Sequence, residues 1–155
     1  MSHTTKSVTL YHMDGCHHCS VMMPEWLKFK NTYLQYKNEF DTKFGYELNI
    51  KDYEYNQNPT IAKDISGFPT IKYGSGGSER EYKGSRDAKS FFEAVTGKQN
   101  DALIEKFLKH PPMQSGGDYI VLLKYANIDM PQIKYKNSYN KYLKYKKKCE
   151  KYHLV

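Results

Sequence analysis

The sequence contains no apolar stretch near the ~20 residues that a bilayer-spanning helix needs, which excludes a membrane span of that kind. No apolar run of signal-peptide length follows the polar start at residues 1–7, so no secretory signal is expected. Cysteine is scarce: three in 155 residues, too few for a disulfide-dense mini-protein. Acid is nearly missing from the C-terminal end. Residues 131–155 hold Lys134, Lys136, Lys141, Lys144, Lys146, Lys147, Lys148 and Lys151 against Glu150 alone, a net of +7. The other 130 residues carry 16 basic and 16 acidic side chains and sum to zero. This asymmetry divides the chain into a neutral body and a basic appendage. What the sequence does have is rings. Aromatic residues make up 15% of a chain that is 39% apolar, with a mean hydropathy of −0.82, so the core is expected to be built from them. The expected setting is reducing cytoplasm, where a close cysteine pair more often does chemistry or binds metal than acts as a staple.

Hydrophobic periodicity places the elements. Residues 8–12 alternate and are β-rich, which reads as a strand. Gly15 then permits a sharp turn into Cys16. Met22, Trp26, Phe29, Tyr33, Tyr36 and Phe40 recur at steps of four and three, one face of a long helix over 16–40. Pro24 lies inside that helix and is expected to bend it. A second strand is read over 46–50, a polar loop over 52–58, and a short helix from Pro59 to just before Gly67. Residues 70–73 and 80–83 form a hairpin across the loose turn at 74–78. Asp87 caps a helix through Phe91, Phe92 and Val95 to Gly97. The order βαβαββα predicts an α/β fold, a mixed central sheet with helices on both faces, spanning residues 1–98. A helical extension follows over 99–130, with a helix at 101–109 and a Pro/Gly-rich linker at 111–117. Residues 119–125 form an apolar segment, and Asp129 with Pro131 starts another helix. The tail over 131–155 carries Tyr135, Tyr142, Tyr145, Cys149 and Tyr152 on one helix face and lysines around the rest.

Cys16-His17-His18-Cys19 is the stretch richest in chemistry. Two cysteines two residues apart at a helix start can close a small disulfide ring. The first sulfur lies near unpaired backbone amides and the positive end of the helix dipole, which favours thiolate. His17 and His18 add positive charge beside the reduced pair and push it toward a more oxidising poise. The motif by itself also fits structural or zinc use. A zinc site wants four ligands, however, and there is no second cysteine pair. His12 and His110 are the other internal candidates, and no metal is assigned.

The wider context narrows the reading. A strand, a turn, Cys-x-x-Cys, Pro24 five residues past the second cysteine, Asn56-Gln57-Asn58-Pro59, and Gly67-Phe68-Pro69-Thr70 opening a strand together resemble the thioredoxin superfamily. Tyr82-Lys83-Gly84-Ser85-Arg86 is similar to the ending of protein disulfide isomerase catalytic domains. The resemblance runs over residues 7–97. It implies a thioredoxin-like fold, a cis Pro69 facing the sulfurs, and a Phe68 backbone free to pair with an extended substrate. Phe68 itself is read as core or as a hydrophobic lip. Arg86 matches the isomerase arginine that favours the second thiolate, or is a solvated charge before a helix. Leu10 departs from the family, which usually carries a buried acid six residues before the first cysteine. Asp14 either replaces that acid or caps the turn. His17 also departs, since glycine or proline is usual there.

The implied activity is thiol–disulfide exchange with protein substrates through Cys16 and Cys19, leaning to oxidation or isomerisation, without a cofactor. The alternative is a thioredoxin-fold binding or virion structural module whose tail is its functional end. The run 140–146, Asn-Lys-Tyr-Leu-Lys-Tyr-Lys, resembles segments near the ends of proteins of large cytoplasmic DNA viruses. It implies work in host cytoplasm, packaging in the virion and a viral redox partner. The tail's charge also fits polyanions, with strong salt dependence, and its Tyr stripe fits packing on the body or on another copy. Cys149 is read as inert or as the source of an intermolecular disulfide.

Overall fold

A computed structural model describes residues 4–110. The linker, the 119–125 segment, the helix start at Asp129, the basic tail and Cys149 lie outside the described residues. Eight elements follow one another: β1 (Thr4–His12), α1 (His17–Gln35), α2 (Lys37–Phe44), β2 (Tyr46–Glu54), β3 (Thr70–Ser75), β4 (Ser78–Glu81), α3 (Ala88–Thr96) and α4 (Ala102–Lys109). The sheet runs β2-β1-β3-β4. β1 pairs in parallel with β2 from Thr4↔Tyr46 to His12↔Glu54. It pairs antiparallel with β3, Leu10 facing Ile71, and β4 closes the antiparallel hairpin. The mixed α/β sheet expected from the element order is present.

β1 starts at Thr4, earlier than the expected residue 8, β4 spans Ser78–Glu81 where 80–83 was expected, and three further elements differ more deeply from the sequence reading. The long helix breaks at Tyr36, and α2 then carries Phe40 into the core. The periodicity runs through the break because Phe40 is buried on the same side as Tyr33, their rings 5.3 Å apart. Gly45 ends α2 in the left-handed region (φ 75°), a conformation that costs a side-chain-bearing residue. β2 continues to Glu54, well past the expected end at residue 50, taking in part of what read as a polar loop. The short helix expected from Pro59 is a series of turns. One helical-type bond, Ala62 N to Asn58 O at 3.2 Å, is followed by Ile65 N to Ala62 O at 3.0 Å. Thr60, Ile61 and Asp64 are weak helix formers, and Ser66-Gly67 leaves no room to propagate a single turn. The second αβ unit is therefore helix-free among the described residues.

The core is aromatic. Trp26, Phe29, Phe40, Phe92 and Phe107 are fully buried. Phe29 meets Phe92 edge to face at 4.8 Å and Phe91 at 5.7 Å, locking α1 to α3. Glu25 accepts the Ala88 N–H at 2.9 Å, so α1 also helps to cap α3 beside Asp87. α4 joins the same body: Ile104 and Phe107 are buried, and Phe107 stacks on Tyr36 at 4.3 Å. At the sheet, the Tyr33 hydroxyl accepts from Leu48 N–H (2.8 Å) and donates to Asp41 (3.0 Å). No helix among the described residues is long and apolar enough to cross a membrane.

Candidate thiol–disulfide site

The site forms where the loops after β1 and β2 meet the segment entering β3. Gly15 takes φ 81° and turns the chain into Cys16. Cys16 is the N-cap of α1, with extended backbone, and its sulfur accepts the Cys19 N–H at 3.3 Å. The thiol also donates to the Phe68 carbonyl at 3.6 Å. The Phe68–Pro69 bond is cis. Pro69 is buried and Phe68 half-buried, and the Phe68 ring lies 5.2 Å from that of Tyr55. The sequence-predicted Cys16, Cys19, Phe68 and Pro69 are thus brought together.

The two thiols differ sharply. Cys16 is partly exposed, whereas Cys19 is fully buried, and both are free. Burial pushes the Cys19 thiol up to about 12, and a hydrogen bond and negative charge from Cys16 push it the same way. A backbone N–H of Met13 and the positive charge of Arg86 pull in the other direction. The Arg86 side chain is itself exposed. Pro69, Arg86 and Met22 line a cavity of about 180 Å³ together with Ile71, Tyr82 and Gly84. His17 and His18 are exposed, their rings 5.9 Å apart.

Leu10 is fully buried and faces Ile71 across β1 and β3, so that position does packing and no proton transfer. Asp14 is exposed; its backbone N–H donates to Glu54 at 3.0 Å. Glu54 is the residue that sequence reasoning missed. It is buried at the end of β2 opposite His12, itself buried. Besides Asp14, it accepts Gln57 N–H at 2.9 Å and the Asn56 side-chain amide at 3.1 Å. Burial alone would raise its carboxyl. The N–H groups of Asp14, Gln57 and Asn56, with the nearby His12, outweigh that and hold it below the usual carboxylate range. The available signal was an acid at the carboxyl end of a parallel strand, where such sheets build sites. No group of metal-ligating side chains forms among the described residues.

No family model and no curated protein matches this chain. Solved structures do. Full-length ERdj5 is similar with a TM-score of 0.50 and 19% identity, covering 65% of this chain and 14% of that one. Human ERp44 form I gives 0.48 and 24%, covering 62% and 25%. The first two thioredoxin domains of Naumovozyma dairenensis Eps1p give 0.48 and 20%, covering 59% and 34%. This chain therefore spans about a third or less of those proteins. Its own strand order, cis Pro69 and Cys-x-x-Cys at the start of α1, with the ERdj5 likeness, make the fold thioredoxin-like.

Proposed function

We propose that the chain is a thiol–disulfide oxidoreductase acting on protein substrates through Cys16 and Cys19. The observation that carries this reading is the asymmetry of the pair. A partly exposed Cys16 sulfur lies 3.6 Å from the carbonyl before cis Pro69, and a buried Cys19 donates its N–H to that sulfur. In the forward direction the Cys16 thiolate attacks one sulfur of a substrate disulfide. The other substrate sulfur leaves as thiolate and a mixed disulfide forms. Cys19 then loses its proton and attacks the Cys16 sulfur, which closes the Cys16–Cys19 disulfide and releases the reduced substrate. Two electrons pass to the substrate, and the reverse sequence oxidises a dithiol.

The electrostatics of the pair support an order for the steps. While Cys16 is anionic, its charge and hydrogen bond keep Cys19 protonated. Once Cys16 is in a mixed disulfide that charge is gone, and the Met13 N–H and Arg86 are left acting against burial. Phe68 and Pro69 are assigned to substrate contact and Arg86 to tuning. His17 and His18, exposed beside the sulfurs, support the lean toward oxidation or isomerisation. The reading extends to residues 131–155. Eight lysines against one acid are assigned to contact with polyanions or a viral redox partner, self-association being the competing use. The Lys-Tyr run supports a virus-encoded protein of host cytoplasm that is carried in the virion.

The test is a pair of variants. Cys16→Ser is expected to abolish reduction of a disulfide-bonded test protein, and Cys19→Ser to trap mixed disulfides with it. Normal turnover by both variants overturns the reading. Replacing His17 and His18 by Gly and Pro is expected to lower the potential measured against glutathione, because imidazoles that favour thiolate over disulfide are removed. An unchanged potential refutes the histidine assignment.

A further inference from the structure

The two peptide units that precede Asp14 are each held at both ends. In the His12–Met13 unit, the carbonyl accepts the Tyr55 N–H at 2.8 Å and the N–H bears on the Cys19 sulfur, lowering its affinity for a proton. In the Met13–Asp14 unit, the carbonyl accepts the Cys16 N–H at 3.2 Å and the N–H is held by Glu54 at 3.0 Å. Of the four anchors, Glu54 is the one side chain that takes no covalent part in the exchange. The others are backbone groups or the reacting cysteine itself. Glu54 is fixed in turn by Gln57 and Asn56, so it ties the turn after β1 to the turn after β2.

We propose that Glu54 is a positioning residue of the exchange reaction: by gripping the Met13–Asp14 peptide it aims the neighbouring Met13 N–H at the Cys19 sulfur as that sulfur becomes anionic. A peptide unit turns as a rigid plane. Letting go of one end frees the joint at Met13 and with it the direction of the adjacent N–H. The Met13 amide then supplies by hydrogen bonding part of the thiolate stabilisation that a helix start gives to Cys16 but not to Cys19. Leu10 cannot contribute, having no polar atom beyond its backbone. This inference rests on the proposed exchange activity, and it concerns the second step only, the attack of Cys19 on the mixed disulfide.

The groups that act on Cys19 are Cys16, Arg86 and the Met13 amide; His12 faces Glu54 from β1. That inventory makes the sign decisive. Removing the Glu54 charge by Coulomb's law alone would make both thiols easier to ionise. Loss of aim makes Cys19 harder to ionise and leaves Cys16 alone. The experiment is Glu54→Gln in the full chain, with single-turnover kinetics on a mixed disulfide formed from Cys16 and an aromatic thiol. The amide keeps the size but removes the charge that Asp14 N–H binds and turns a donor either toward Gln57 N–H or toward both Asp14 N–H and the Asn56 amide. The resolving step is expected to slow by about tenfold or more, the ordinary worth of a hydrogen bond to a charged group. Its pH midpoint is expected to move up, while that of the Cys16 attack step stays. Glu54→Asp, which keeps the charge and shortens the reach, is expected to fall between the two, and it serves as the test if the Gln form does not fold. A resolving step with unchanged rate, or a midpoint that moves down, overturns the assignment. Loss of the Cys16 attack step in wild-type protein would instead sink the exchange activity itself.

Discussion

Cys16→Ala separates the two halves of the site. Cys19 is pushed up first by burial, then by a hydrogen bond and a charge from Cys16, against the Met13 N–H and Arg86. Alanine removes both contributions of Cys16 and leaves the burial of Cys19 beneath the start of α1 in place. A hydrogen bond to a charged partner is worth about 1.5–3 kcal/mol, and one pKa unit corresponds to about 1.4 kcal/mol. Cys19 is therefore expected to titrate about one to two units below its value in the reduced wild type, which raises its thiolate fraction about ten- to hundredfold at neutral pH. Titration of the cysteine Cβ chemical shifts, in a Cys149→Ser background, reads Cys19 directly in both proteins. The alanine form mimics the electrostatics of the mixed disulfide, in which the Cys16 sulfur carries no charge. A Cys19 that titrates at the same pH or higher in Cys16→Ala would refute the idea that Cys16 keeps its partner protonated until the first step is complete.

Arg86→Gln is expected to raise the Cys19 midpoint in the Cys16→Ala background and to slow the resolving step, since the guanidinium is a charge that pulls Cys19 down; a midpoint that does not rise contradicts it. Phe29→Ala, which empties a fully buried site between Trp26, Phe91 and Phe92, is expected to cost about 3–5 kcal/mol in denaturant unfolding. A loss below ~1 kcal/mol would mean that α1 and α3 are not locked through this ring. Truncation after Met130 removes the +7 segment and is expected to leave thermal melting and disulfide reduction intact while abolishing retention on a polyanion column. A truncated chain that aggregates or loses activity would show that residues 131–155 belong to the core.

Local signals carried most of the architecture. β1, the hairpin and α3 were legible because alternation, a glycine turn and the Asp87 cap are local, and Asp87 does accept the Ser90 N–H at 2.8 Å. Cys16, Cys19, Phe68 and Pro69 were legible from motifs. Of the deeper misreadings, two were tertiary and one was local. The break at Tyr36 leaves the aromatic spacing untouched, because Phe40 returns to the same core. The 59–66 stretch has the proline start of a helix but too few good formers to pay for nucleation. β2 reached Glu54 because pairing with β1 extends to His12, and no alternation within 51–54 announces it: Lys51 and Asp52 are exposed and Glu54 is buried. Glu54 was accordingly invisible as a site residue. Its significance depends on the Asp14 N–H, forty positions away.

An acid at position 54 can do different work at this site from one at position 10. At position 10 a carboxyl would lie inside the sheet, where burial raises its affinity for a proton and suits it to take one from a thiol. Leu10 fills that space with hydrocarbon and contributes packing against Ile71. Glu54 is buried too, but it already accepts from Asp14, Gln57 and Asn56 and lies beside His12, and these hold its proton affinity down. A carboxylate satisfied in this way is a weak base at neutral pH, and taking up a proton would cost it the hydrogen bonds that join the two turns. Its contribution to exchange is then geometric. In the proposed reaction the stabilisation of the Cys19 thiolate falls to a backbone N–H that Glu54 keeps in line and to the charge of Arg86, neither of which has to change protonation state.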